Sequence, residues 1–89
     1  LVGALRTGPL AAAPMRRSPT PEQWLDDARA LRERDTTSLH SWRVALTLST
    51  AAAVLAELDG GPGARTFSER ALAYARQCQY GMDHWQPPP

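Results

Sequence analysis

Three blocks of apolar residues run along this chain at helical spacing, separated by short polar or glycine-rich breaks. In the first, Trp24, Leu25, Ala28 and Leu31 share one stripe, with Asp26, Asp27, Arg29, Glu33 and Arg34 turned toward water. Spacings of three and four residues bring side chains to one face of an α-helix. The second block is denser. Residues 44–56, VALTLSTAAAVLA, hold no charge and lie between Arg43 and Glu57. Leu39, Trp42, Leu46 and Ala53 define one face there, and Val44, Leu48, Ala51, Leu55 and Leu58 define another. A helix apolar nearly all round is buried on most sides. In the third block Phe67, Ala71, Tyr74 and Cys78 recur with Leu72 and Ala75 beside them, and Arg65, Arg70, Arg76 and Gln77 form the wet face.

The breaks carry the chemistry of helix ends. Thr20 suits an N-cap, Pro21 the first helical position and Gln23 the third residue of a capping box. The first helix is expected to run to about Asp35. Thr36, Thr37 or Ser38 can cap a second helix over about Ser38–Leu58, which Asp59-Gly60-Gly61-Pro62-Gly63 stops. Thr66 and Glu69 read as a capping box for a third helix, and Gly81 reads as its terminator. The expected fold is therefore all-α: a small three-helix domain over residues 20–85, with a long apolar central helix and an antiparallel hairpin from the second and third. Residues 1–19, with three prolines before the first helix and no helical period, are expected to be a flexible arm. Residues 86–89 form a proline-rich tail that favours extended backbone.

Composition narrows the function classes. A net charge of +1 argues against a strong nucleic-acid or acidic-lipid field. All ten basic residues are Arg, and Ile and Asn are absent as well as Lys, as expected of a GC-rich genome such as an actinobacterial one. The single cysteine fits a reducing cytoplasm. Arg6, Pro9 and Pro14 interrupt the apolar run at the start of the chain, which argues against a secretory signal. Residues 44–58 fall short of the roughly 20 residues a membrane span needs.

Leu48, Ala51, Ala52 and Leu55, followed after the glycine-rich turn by Ala64, Ser68 and Ala71, resemble one helical hairpin of a tetratricopeptide repeat. Such repeats set large and small residues of one helix against small residues of the next. The run AVLAELDGGPGARTFSERALAYA resembles hairpins of actinobacterial regulators that carry them. The pattern departs at Ser68, where an aromatic is usual, and at Arg76, near which a proline is usual. Only one unit is present, over residues 45–78. The resemblance implies a scaffold that binds protein or peptide.

No catalytic, metal or cofactor signature emerges. Cys78, His84 and His40 lack the paired spacing of a zinc site. Adjacent Asp26 and Asp27 point about 100° apart on a helix and do not converge. The expected function is a non-enzymatic protein–protein interaction or oligomerisation module whose partner is another protein or a second copy. Leu39, Trp42, Leu46, Leu48 and Leu55 are its expected contact residues, joined by Trp85 beside the tail, because tryptophan is favoured at interface hot spots. One alternative is a small DNA-binding regulator reading bases through Arg70, Arg76, Gln77 and Gln79. Against it stands the Gly60–Arg65 connection, longer than a helix-turn-helix allows. Another is a non-catalytic small subunit of a larger enzyme.

Overall fold

A computed structural model describes residues 19–89. The reading of residues 1–18 as an arm falls outside the described residues. The described part is all-α: α1 (Pro21–Arg34), α2 (Leu39–Asp59) and α3 (Ala64–Asp83). α1 begins as its sequence dictates. Thr20 is extended, and its hydroxyl accepts from the Gln23 backbone N–H at 3.1 Å, with Pro21 in the first turn. Of the three possible caps for α2, Ser38 takes the role, accepting from the Ser41 backbone N–H at 3.1 Å. α2 ends on Gly60, whose φ of 67° is left-handed and whose N–H closes on the Ala56 carbonyl.

α3 differs from the sequence expectation at both ends. It begins at Ala64 with Gly63 (φ 79°) as N-cap, so Thr66 and Glu69 lie inside the helix and the capping box does not form. The Ala64 N–H donates to the Gly61 carbonyl, and this tight turn starts the helix early. At the other end Gly81 does not terminate α3, which runs two residues further and closes with the His84 N–H on the Tyr80 carbonyl. Gly81 serves packing instead. A Cβ built there would meet the Trp42 ring at 2.5 Å.

α2 and α3 pack antiparallel along their whole length. Trp42 meets Gly81, Ala45 clusters with Cys78, Ala52 and Ala53 cluster with Ala71, and Glu57 approaches Arg65. The connection is therefore the short Gly60–Gly63 turn of an αα-hairpin, not the longer segment expected from sequence. α1 lies along the pair. Leu25 joins Ala52, Ala53 and Ala71, and Ala28 joins Ala45 and Cys78.

The core is built from small residues. On α2 the buried positions are Ser41, Ala45, Ser49, Ala52, Ala53 and Ala56; on α3 they are Ser68, Ala71, Ala75 and Cys78. Small side chains let the helix backbones approach closely. Two of the buried serines return their hydroxyls to backbone: Ser49 donates to the Ala45 carbonyl at 2.7 Å and Ser41 to the Asp35 carbonyl at 2.7 Å. No buried side-chain polar atom among the described residues lacks a partner. Leu25 is the largest fully buried side chain. Leu72, expected beside the core stripe of α3, is exposed, since Ala71 and Ala75 occupy the seam.

Candidate functional site

The arrangement of α2 sets its small side chains inward and leaves several of its large apolar ones outward. Val44, Ala51 and Leu55 are half-buried, and Val54 and Leu58 are 52% and 75% exposed. At 100° per residue Val44, Ala51, Val54 and Leu58, with His40 and Thr47, form a stripe turned away from Ala45, Ser49 and Ala56, and Leu55 lies at its margin. The N-terminal half of this side holds an open groove lined by His40, Arg43, Val44, Thr47 and Leu48. The Thr47 hydroxyl bonds the Arg43 carbonyl at 3.0 Å, so its hydroxyl is satisfied within the helix and its methyl is left for contact. Arg43 and Glu57 border the stripe; Glu57 lies 3.8 Å from Arg65 in an exposed pair.

The contact residues expected from sequence divide into two groups. Leu48 and Leu55 are half-buried at the margin of the outer side, with Leu48 also touching the Ala28–Ala45–Cys78 cluster. Leu46 packs against that same cluster. Trp42 is held inside the bundle, with the Arg32 guanidinium carbon 3.3 Å from its ring centroid and Gly81 against its edge. Leu39 is half-buried in the first turn of α2. Trp85 is tied back to the domain, its indole N–H donating to the Thr37 carbonyl at 2.8 Å. Val54 and Leu58 are the most exposed apolar residues of α2, and neither was among the expected contacts. Their signal in the sequence is position: both lie opposite an Ala/Ser stripe, which close packing of helices selects.

A polar corner fixes the junction of α1 and α2. Arg32 donates to the Asp35 carbonyl at 2.8 Å and to the Ser41 hydroxyl at 2.6 Å, while also covering Trp42. The Asp35 carboxylate accepts from the Ser38 hydroxyl at 2.6 Å and from the Ser38 N–H at 3.2 Å. These bonds, the hydroxyl one foremost, hold the Asp35 carboxyl below its ordinary range. Nearby, burial pushes the Cys78 thiol up, against the smaller opposing pull of Arg32. Burial likewise raises the Tyr74 phenol, with Cys78 adding to it. Arg29 lies over the Tyr74 ring at 5.4 Å.

On α3 the residues of the DNA-binding alternative are exposed, but Arg70 lies over Phe67 at 5.4 Å and Gln79 donates to Asp83 at 3.0 Å. The full-length antiparallel hairpin also differs from the roughly 90–120° crossing of a helix-turn-helix. Among the described residues no group of three His, Cys, Asp or Glu side chains is placed to hold a metal ion, and no helix is long and apolar enough to cross a membrane. Of the repeat-like positions, Ala52, Ser68 and Ala71 are buried at the hairpin seam, and Leu48, Ala51, Leu55 and Ala64 are half-buried. Comparison of the chain with protein-family models, with curated proteins and with solved structures gives no match.

Proposed function

We propose that this chain is a protein-interaction module whose docking surface is the outer side of α2. The observation that carries the reading is the inversion of size across that helix. Its buried positions are all Ala or Ser, while Val54 and Leu58 are exposed and Val44, Leu48 and Leu55 are half-exposed. A bundle that buried its largest apolar side chains would gain roughly 25 cal/mol for each Å² removed from water. Leaving them outside forgoes that gain within the monomer and makes it available to a partner. A single tetratricopeptide-like hairpin belongs to this proposal, since its role in such proteins is to present a helical surface to another chain.

Photo-cross-linking tests it. A benzophenone side chain at position 54 should form protein adducts under native conditions, and the same group at the exposed Gln77 of α3 should not. Absence of any adduct from position 54, in purified protein and in cells alike, would overturn the reading.

A further inference from the structure

The docking surface just described has an occupant that its own pattern specifies. The geometry points to a second copy of this chain, lying antiparallel along α2 about a two-fold axis at the level of Ser49; this rests on the reading of α2's outer side as a protein-binding surface. Three features of the helix carry the inference.

The first is spacing. His40, Val44, Thr47, Ala51, Val54 and Leu58 alternate at four and three residues, the repeat that places one side chain per turn along a two-helix seam. Five of the six are apolar or present a methyl group.

The second is shape. The groove of the outer side, lined by His40, Arg43, Val44, Thr47 and Leu48, lies in the N-terminal half of α2. The two most protruding apolar side chains, Val54 and Leu58, lie in the C-terminal half. A two-fold axis at the middle of the helix reverses it. Val54 of the second copy then falls opposite Val44, Leu58 of the second copy opposite His40, and Ala51 of the second copy opposite Thr47. Each protrusion enters the other copy's groove, and the contact closes on itself as an isologous interface. The small residues Thr47, Thr50 and Ala51 at the crossing permit close approach.

The third is charge. Arg43 and Glu57 lie on the same border of the seam, on either side of its middle, so that in the antiparallel register their levels differ by only about 3 Å, within reach of two long side chains. In an antiparallel pair related by a two-fold axis, residues on the same border meet. Arg43 of each copy therefore faces Glu57 of the other, twice per dimer. A parallel arrangement sets Arg43 against Leu48 of the second copy and leaves both charges without partners, so the pattern also selects direction. The exposed 3.8 Å contact of Glu57 with Arg65 leaves its carboxylate free to accept a second partner.

The test is sedimentation equilibrium of the full chain over a concentration series, with Arg43→Glu, Glu57→Arg and the two combined. The wild-type mass should rise to that of a dimer. Each single reversal replaces two attractive contacts per dimer by repulsive ones and should raise Kd about fivefold or more. The combined reversal should restore Kd to within about twofold of wild type. The nearby Arg65 affects Glu57→Arg alone and in combination equally, so it does not mimic the rescue. An independent readout is Thr50→Cys with a short bismaleimide, which should cross-link two copies where Gln77→Cys does not. A chain that stays monomeric, a double variant no better than the singles, or no cross-link at position 50 would overturn the second copy as occupant. Monomer together with position-54 adducts to a different protein removes this inference and keeps the interaction surface. Monomer without adducts removes both.

Discussion

Replacing Gly81 by Ala should destabilise the domain even though Gly81 lies inside a helix, where Ala is intrinsically better by roughly 1 kcal/mol. The added Cβ would stand 2.5 Å from three carbons of the Trp42 ring, about 1 Å inside the ordinary carbon–carbon contact distance. The ring must shift to accept it. That shift disturbs Arg32, whose guanidinium carbon lies 3.3 Å from the ring centroid and whose N–H groups also hold Asp35 and Ser41. Overpacking of this kind costs about 1–3 kcal/mol, and a weakened cation–π contact adds about 0.5–1 kcal/mol. Set against the gain in helix propensity, the net loss is about 1–2 kcal/mol, or roughly 5–15 °C in Tm for a domain of this size. Urea and thermal unfolding followed by circular dichroism read it directly. The decisive comparison is the same change in a Trp42→Leu background. With the indole gone the clash goes too, and Gly81→Ala should then stabilise by about 0.5–1 kcal/mol. A Tm that rises on Gly81→Ala in the wild-type background would refute the packing argument. So would an equal cost in both backgrounds.

Other expectations follow from the same structure. Ala52→Leu should cost about 1–3 kcal/mol in urea unfolding, because Ala52 is fully buried at the α2 seam. Leu58→Ser, at a 75% exposed position, should shift the stability of the dilute monomer by no more than about 0.5 kcal/mol. The lowered carboxyl of Asp35 contributes stability that is present above its unfolded pKa of about 3.9 and is lost as pH falls through the lower folded value. Asp35→Asn should therefore flatten the acid limb of a Tm-against-pH curve, and an unchanged limb would contradict this. Cys78, buried with its thiol pushed up, should react with iodoacetamide only as fast as the domain opens, so rapid labelling of the native chain would contradict its placement.

Much of the architecture was legible in the sequence because helix ends and helix period are local properties. Thr20, Pro21, Ser38 and Gly60 each act within one turn of chain, and their roles could be read without knowing the packing. Gly81 could not be read this way. Its value lies in a contact with Trp42, far off in sequence, so the local rule that glycine ends helices gave the wrong role. The inward side of α2 was hidden for a related reason. Hydrophobic pattern identifies a core by its largest side chains, whereas the fully buried positions of this hairpin are Ala, Ser and Cys, with Leu46 and Leu48 only at the edge of the core and Val54 and Leu58 outside it. The two apolar faces read on α2 therefore straddle the seam: Ala53 and Leu46 do face the bundle, while Val44, Leu55 and Leu58 turn away from it. A serine whose hydroxyl returns to its own helix, as at Ser49, behaves as a small core residue, which its polarity conceals. Trp85 was read as a contact for other chains, and its bond to the Thr37 carbonyl is a link no sequence spacing reveals.

Carbene footprinting across a concentration series addresses the outer side of α2 most directly. Dilute protein should label at Val44, Val54 and Leu58 on α2 and at Leu72 and Tyr80 on α3, all of which are exposed or half-exposed. As concentration rises, labelling should fall at the α2 positions and stay constant at Leu72 and Tyr80. Protection confined to α3, or no protection at concentrations where the mass is that of a dimer, would contradict the assignment of that face as the interface.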